Sequence, residues 1–116
     1  IYFNKGKNLF ENEKFDEAKF NFEKDIVFNP KNELSYLYLA KIFKIEEKSD
    51  LEENNLNTVI LLNPKNEDAV YNLVLLNIKQ SNFKKAEELM KTLEIICKQL
   101  CSSKKALRKS LSDASK

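Results

Sequence analysis

The sequence predicts an all-α fold, a solenoid of helix hairpins, and three observations support this prediction. The string Asn-Pro-Lys-Asn-Glu occurs at residues 29–33 and again at residues 63–67, a spacing of 34 residues. Apolar residues recur at intervals of three and four, which is typical of a helical face. One Gly and two Pro in 116 residues are too few for hairpin-rich β structure or a Gly-rich phosphate loop. A period of this length indicates units that bury their apolar faces against their neighbours.

Composition narrows the possible functions. With 42% hydrophobic and 33% charged residues, 116 residues predict one folded domain. The absence of His removes a histidine general base and histidine metal ligands, so we expect no enzyme activity, cofactor, metal site or small-molecule substrate. The longest apolar run has five residues, whereas a membrane-spanning helix needs about twenty, so we expect no transmembrane segment. Because position 1 is Ile, we expect further residues upstream, and the compartment stays open.

Each period contains two helical patterns. The apolar residues of the first pattern are Tyr36, Leu39, Ala40 and Phe43 in one period and Val70, Leu73 and Val74 in the next. Those of the second pattern are Phe15, Ala18, Phe22 and Ile26, and then Phe83, Ala86, Met90 and Leu93. Pro30 and Pro64 end one helix, and Asn32 and Asn66 can cap the next through their side-chain oxygens. Each unit is therefore predicted to be a helix hairpin.

These residues resemble the tetratricopeptide repeat (TPR) family, whose unit has 34 residues with small, aromatic and Pro residues at fixed positions. The first unit supplies Tyr2, Gly6, Leu9, Ala18, Phe22 and Pro30 to that pattern. The resemblance implies a right-handed α-solenoid of about three TPR-like hairpins at 1–32, 33–66 and 67–98, followed at 99–116 by a C-terminal capping or extended helix with a basic tail. The sequence departs from the pattern at Lys5, Glu52, Asn77 and Lys98, and Glu52 puts the second hairpin most in doubt.

The resemblance also implies a function, that of a non-enzymatic scaffold or adaptor. In such solenoids the first helix of each unit lines a concave groove, and here residues 33–45 and 68–78 are apolar nearly all round. We expect this groove to bind an apolar helix or extended segment of a partner protein. By the family pattern, the partner-binding residues are Phe3, Lys7, Phe10, Leu34, Leu37, Tyr38, Lys41, Tyr71, Asn72, Leu75 and Ile78.

Two alternatives to a partner-binding groove remain open for this apolar strip. The strip residues could be ordinary core, or the same surface or a long C-terminal helix could form a homo-oligomer. A net charge of +2, with Arg108 the single Arg, disfavours sequence-specific nucleic-acid binding. Some TPR domains hold a C-terminal carboxylate in a clamp of Lys, Asn and Arg, but the matching positions here carry Phe3, Lys7, Tyr38, Asp68 and Asn72. The residues at these positions therefore disfavour binding of a C-terminal carboxylate in such a clamp.

The C-terminal segment follows a different pattern. An apolar stripe runs through Leu89, Leu93, Ile96 and Leu100, and it predicts either a long last helix or a helix followed by a capping helix. Cys97 and Cys101 would share a face of that helix. We expect two small buried hydrophobic residues there, with an intermolecular disulfide as the alternative, because a disulfide within one helix requires non-helical geometry. Residues 102–116 carry five basic residues and one acidic residue, which fits a solvated helix face or contact with an acidic protein, anionic lipid or RNA backbone.

Overall fold

A computed structural model describes all residues from 1 to 116 and contains seven helices and no strand, which confirms the all-α prediction. The helices are α1 (Tyr2–Glu11), α2 (Phe15–Phe28), α3 (Glu33–Ile45), α4 (Ser49–Leu62), α5 (Glu67–Lys79), α6 (Phe83–Ile96) and α7 (Lys104–Ala114). The chain forms two compact units: unit 1 (residues 1–62) holds α1 to α4, and unit 2 (residues 63–116) holds α5 to α7. None of the helices combines the length and the apolar character that a membrane span requires.

The core of unit 1 lies where α2 packs on α1 and α3, while α3 forms a second hairpin with α4. Ala18 and Phe22 of α2 are fully buried in this core. Gly6 on α1 allows the close approach, because a Cβ atom at this position would lie 2.8 Å from Cε1 of Phe22. The small residues that the repeat pattern requires therefore lie at the contact between the two helices of the first hairpin.

The second hairpin forms in spite of Glu52. This residue is 4% exposed, and α4 runs through it without interruption. Leu56 and Val59 on the same helix are also buried. The doubt that the charged residue raised about this hairpin is therefore not supported by the structure.

The turn within each hairpin has the same backbone conformation. One residue in each turn has a positive φ: Glu13 (60°), Glu47 (59°) and Ser81 (61°). These residues are 34 positions apart, although none of them is Gly. In every turn the next amide donates back to a helix carbonyl five residues earlier, as from Lys14 N to Leu9 O at 2.8 Å. This is the hydrogen bond that closes a helix C-terminus of the Schellman type.

The Asn-Pro-Lys-Asn segments separate the hairpins as predicted. The side chain of Asn32 accepts a hydrogen bond from Leu34 N at 3.3 Å at the start of α3. The side chain of Asn66 accepts one from Ala69 N at 3.0 Å at the start of α5. Both predicted N-caps are confirmed. Each satisfies an amide that has no partner within its own helix.

A buried carboxylate fixes the first of these segments. Asp25, near the end of α2, is 3% exposed and accepts hydrogen bonds from Ser35 Oγ at 2.6 Å, Asn32 Nδ2 at 2.8 Å and Asn29 Nδ2 at 3.0 Å. Desolvation raises the pKa of Asp25, but the hydrogen bonds from Ser35, Asn32 and Asn29 outweigh it, so the pKa lies below its ordinary value of 3.8. The cluster joins the end of α2 to the start of α3.

In unit 2, α6 packs on α5, and α7 packs on both. Leu107 and Leu111 of α7 are 3% and 4% exposed. Arg108 lies between them and pairs with Glu87 and with Glu94 of α6, the latter at 2.8 Å from Nη2 to Oε1. Of the two sequence predictions for the C-terminus, the capping helix is confirmed. The single long helix is wrong, because α6 ends at Ile96 and α7 begins at Lys104.

The two cysteines also differ from expectation. Cys97 and Cys101 form a disulfide, with their Cα atoms 5.2 Å apart, so the prediction of two free buried thiols is wrong. The physical reason is the end of α6. Cys97 has extended backbone angles (φ −60°, ψ 140°), which removes the helical geometry that the prediction assumed between the two residues.

Candidate partner-binding site

The site predicted for unit 1 is built from one stripe on each of two helices. Phe3, Lys7 and Phe10 stand four and three residues apart along α1 and therefore share a face. On α3, Leu34 and Tyr38 are four residues apart in the same way. The ring of Tyr38 brings the stripes together, because its centroid lies 5.9 Å from that of Phe3 and 5.0 Å from that of Phe10, both edge to face. We call Phe3, Phe10 and Tyr38 the aromatic face of unit 1.

The core of unit 1 holds the aromatic face in place. The buried ring of Phe22 stacks on Tyr38 with centroids 5.1 Å apart and an angle of 10° between the planes. It also contacts Phe3, with centroids 5.9 Å apart. Phe15 meets Phe10 edge to face at 5.5 Å. Because each ring of the face rests on another ring, its orientation is set before any partner arrives.

Positive charge and apolar surface border the aromatic face. Lys7 is exposed between Phe3 and Phe10 on α1. Nζ of Lys41 lies 5.5 Å from the centroid of the Tyr38 ring, a cation–π geometry. Leu34 is 43% exposed and adds aliphatic surface at the start of α3. The combination of half-buried rings with lysine ammonium groups suits a segment that carries both apolar side chains and carboxylates.

Two of the predicted site residues have structural roles. Leu37 is 5% exposed and has almost no surface left for a partner. The prediction that it belongs to the partner-binding site is therefore wrong, and Leu37 is one of the buried residues of α3. Tyr38 is half-buried and packs against the core cluster that contains Phe22. It therefore supports the hairpin as well as the face, and a charged substitution there would disturb the fold together with the surface.

Unit 2 presents the corresponding stripe on α5. Tyr71, Leu75 and Ile78 are spaced four and three residues apart, and each is half-buried. Asn72 donates through Nδ2 to Asp68, with 2.7 Å to Oδ1 and 2.8 Å to the carbonyl oxygen. The amide of Asn72 thus orders the first turns of α5, whereas the three apolar residues retain accessible surface.

A second apolar surface was missed by the sequence analysis. Phe20, Val27 and Phe28 of α2 are 58%, 74% and 66% exposed. Tyr2 stacks on Phe28 with centroids 5.8 Å apart and an angle of 9° between the planes. The sequence did contain a signal for this surface. Once Ala18 and the other residues of its stripe are assigned to the contact within the hairpin, Phe20, Val27 and Phe28 are left as apolar residues of α2 without an assigned contact. No group of three or more Cys, Asp or Glu side chains is arranged to hold a metal ion.

Comparison with solved structures identifies the fold. The chain superposes on the first TPR of Spaghetti (RPAP3) bound to the HSP90 peptide SRMEEVD with a TM-score of 0.86 and 18% identity, covering 99% of this chain and 91% of that one. It matches the TPR2B domain of yeast Sti1 in a complex with pHsp70 with a TM-score of 0.85 and 15% identity, covering 93% and 90% of the two chains. The Sgt2 TPR domain from Aspergillus fumigatus gives a TM-score of 0.76 and 13% identity, over 97% and 74%.

These likenesses show that the chain has the tetratricopeptide-repeat fold, as its sequence resemblance implied. No protein-family model matches the sequence. No curated protein matches it either.

Proposed function

We propose that this chain is a non-enzymatic adaptor that binds a segment of a partner protein on the aromatic face of unit 1, and that Tyr71, Leu75 and Ile78 of α5 form a contact surface of unit 2. One observation carries the proposal: three half-buried rings contact Phe22 and Phe15, Lys41 lies over the ring of Tyr38, and the exposed Lys7 shares a helix face with Phe3 and Phe10 by its spacing. Solved structures with the same fold include domains in complex with HSP90 and Hsp70 sequences, which supports a role in protein binding.

The chemistry of the face indicates the kind of segment. A large apolar side chain contributes about 1.5–3 kcal/mol when fully buried, and association costs about 4–15 kcal/mol. Half-buried rings add only part of that burial each, so we propose a weak, reversible complex. Rings that are already fixed lose little entropy on binding, which favours the complex. A carboxylate on the partner beside Lys7 would add specificity and speed association.

The residues at the clamp positions bear on where the segment lies within the partner. At the five positions that match the carboxylate clamp of some TPR domains, this chain carries Phe3, Lys7, Tyr38, Asp68 and Asn72. In unit 1, Phe3 and Tyr38 present aromatic rings where the clamp has ammonium and amide donors for a chain-terminal carboxylate. We therefore propose that the partner segment is internal, either an apolar helix or an extended stretch, rather than a free C-terminus.

Two matched charge reversals on α1 test this proposal. Lys7→Glu places a carboxylate on the aromatic face, whereas Lys5→Glu makes the same change at an exposed position on the other side of the helix. In affinity capture from native cells, we expect Lys7→Glu to reduce the recovered partner about tenfold or more, with the Lys5→Glu protein close to wild type. Equal recovery with both variants, or an equal loss, would contradict the assignment of the face. Thermal unfolding of both variants checks that the fold is intact.

Self-association is a second candidate, supported by the exposed apolar residues of α2. Phe20, Val27 and Phe28 offer a surface that a second copy could cover. The version of this idea that used a long C-terminal helix is contradicted, since α6 and α7 are separate helices. Light scattering after size exclusion, over a wide range of protein concentration, should show a dimer that Val27→Asp dissociates. A monomer at every concentration would eliminate this candidate.

A further inference from the structure

The break between α6 and α7 is not encoded by a helix-breaking residue. Residues 97–103 read Cys-Lys-Gln-Leu-Cys-Ser-Ser and contain neither Gly nor Pro. The apolar stripe of α6 continues at helical spacing from Leu93 through Ile96 to Leu100. Local sequence therefore favours a helix through this segment, whereas the structure has a loop that contains the disulfide.

The disulfide and a continuous helix exclude each other. Residues four apart in an α-helix hold their Cβ atoms about 5–6 Å apart. A disulfide requires a separation of about 3.5–4.5 Å between the same atoms. Cys97 and Cys101 can thus be bonded or lie in a regular helix, but they cannot do both. This gives the segment two distinct arrangements.

Glu67 stabilises the bonded arrangement. Its carboxylate accepts hydrogen bonds from the backbone amides of Lys98, Gln99 and Leu100, with 3.1 Å from Gln99 N and 3.2 Å from Leu100 N to Oε1. The hydrogen bond from Lys98 N, joined by the other two, outweighs desolvation and lowers the pKa of Glu67 below its ordinary value. In a continuous helix these amides would instead donate to carbonyls four residues earlier on the same helix. Glu67 therefore replaces the partners that the broken helix gives up.

The position of α7 depends on the same break. Leu107 and Leu111 are buried against the other helices of unit 2, and Arg108 pairs with Glu87 and Glu94 on α6. In an uninterrupted helix Leu107 would lie about 21 Å beyond Leu93 along the axis, because each residue adds about 1.5 Å. An extended helix could not fold back on itself, so the contacts of α7 with α6 require the loop.

We propose that Cys97 and Cys101 form a thiol–disulfide switch that controls the docking of α7. A dithiol reductant breaks the S–S bond, each cysteine sulfur gains one electron and one proton, and the reductant is oxidised to its own disulfide. With the bond broken, residues 97–103 become helical and join α6 to α7 in one helix from Phe83 to Ala114, about 48 Å long. Leu107 and Leu111 then become accessible, as does the surface of unit 2 that they cover. Reoxidation restores the loop and docks α7 again.

The full chain can test the switch by NMR before and after addition of dithiothreitol, with thiol titration in parallel. We expect no titratable thiol before reduction and two after it. The Cα chemical shifts of residues 98–102 should move to helical values, and the nuclear Overhauser contacts from the methyl groups of Leu107 and Leu111 to α6 should disappear. Two thiols in the unreduced protein would overturn the proposal. So would two thiols after reduction with the contacts of α7 unchanged.

Two variants separate the switch from a simple loss of the crosslink. A Cys97→Ser, Cys101→Ser protein should show the extended-helix spectrum with and without reductant. Ser102→Pro blocks a continuous helix, so its reduction should release two thiols while α7 keeps its contacts with α6. If the Ser102→Pro protein loses those contacts as readily as wild type, helix formation does not drive undocking and the mechanism is wrong. A serine variant that keeps the docked spectrum would equally refute it.

Discussion

The buried carboxylate of Asp25 supports a quantitative prediction about the first hairpin junction. Its three hydrogen-bond donors come from Ser35, Asn32 and Asn29, and Asp25 and Ser35 are 3% and 0% exposed. Thirty-four residues later, the matching positions carry Val59 and Ala69, both fully buried. The same two positions of the repeat thus hold polar side chains at one place and apolar side chains 34 residues later.

We therefore expect Asp25→Val and Ser35→Ala to be strongly coupled. Asp25→Val alone leaves the Ser35 hydroxyl and two asparagine amides without an acceptor and should lower the free energy of unfolding by about 3 kcal/mol. Ser35→Ala removes one bond to a charged acceptor and should cost about 1.5–3 kcal/mol. The double variant replaces both partners with the residue types found 34 positions later, so it should recover about 1–2 kcal/mol relative to the sum of the single changes.

Urea unfolding followed by circular dichroism measures these free energies in a double-mutant cycle. Because the folded pKa of Asp25 is depressed, its contribution is complete above the unfolded pKa and is lost as the pH falls through the folded pKa. The wild type should consequently lose more stability than the double variant when the pH is lowered below 3.8. Additive single effects, or a cost below about 1 kcal/mol for Asp25→Val, would refute this account of the junction.

Four further substitutions probe the hairpins, and thermal or urea unfolding measures each. Ala18→Leu should destabilise by about 1–3 kcal/mol through overpacking between α1 and α2, and an unchanged melting curve would remove Ala18 from that contact. Gly6→Ala should cost a similar amount, about 1–3 kcal/mol, because the added methyl group meets the Phe22 ring; Lys5→Ala is the exposed control on the same helix. Glu13→Gly and Glu47→Gly should each stabilise by about 0.5–1 kcal/mol by relieving a positive φ, and a loss of stability would show that the glutamate side chains matter more than the backbone.

The fold could be predicted because the repeat sets the length of every hairpin at once, rather than the length of one helix at a time. The two Asn-Pro-Lys-Asn-Glu strings set the period, and Pro30 and Pro64 set the helix ends whatever the identity of the residues between them. The positive φ angles at Glu13, Glu47 and Ser81 obey the same period but could not be predicted, since two Glu and one Ser adopt a conformation usually given to Gly. There the geometry of the hairpin overrides local preference.

The site and the C-terminus were predicted less completely, for physical reasons. The family pattern placed Phe3, Phe10 and Tyr38 along one groove, and in the structure the ring of Tyr38 contacts both phenylalanine rings. Spacing alone could not show that Leu37 is buried, because burial depends on what packs over a helix. The helical stripe through Cys97 pointed to a long helix, and a covalent bond between side chains is invisible to periodicity.

Docking of the proposed partner segment on Tyr38 would link its binding to the folding of unit 1, because Tyr38 stacks on the buried ring of Phe22. A segment that docks on Tyr38 binds only the native packing of the rings, so it raises the unfolding free energy by about 2.7 kcal/mol when present at one hundred times its dissociation constant. Candidate peptides can therefore be screened by the rise in melting temperature that they cause. Conversely, a substitution that disturbs the packing of these rings should weaken binding of the proposed segment even when the substituted residue lies away from the surface.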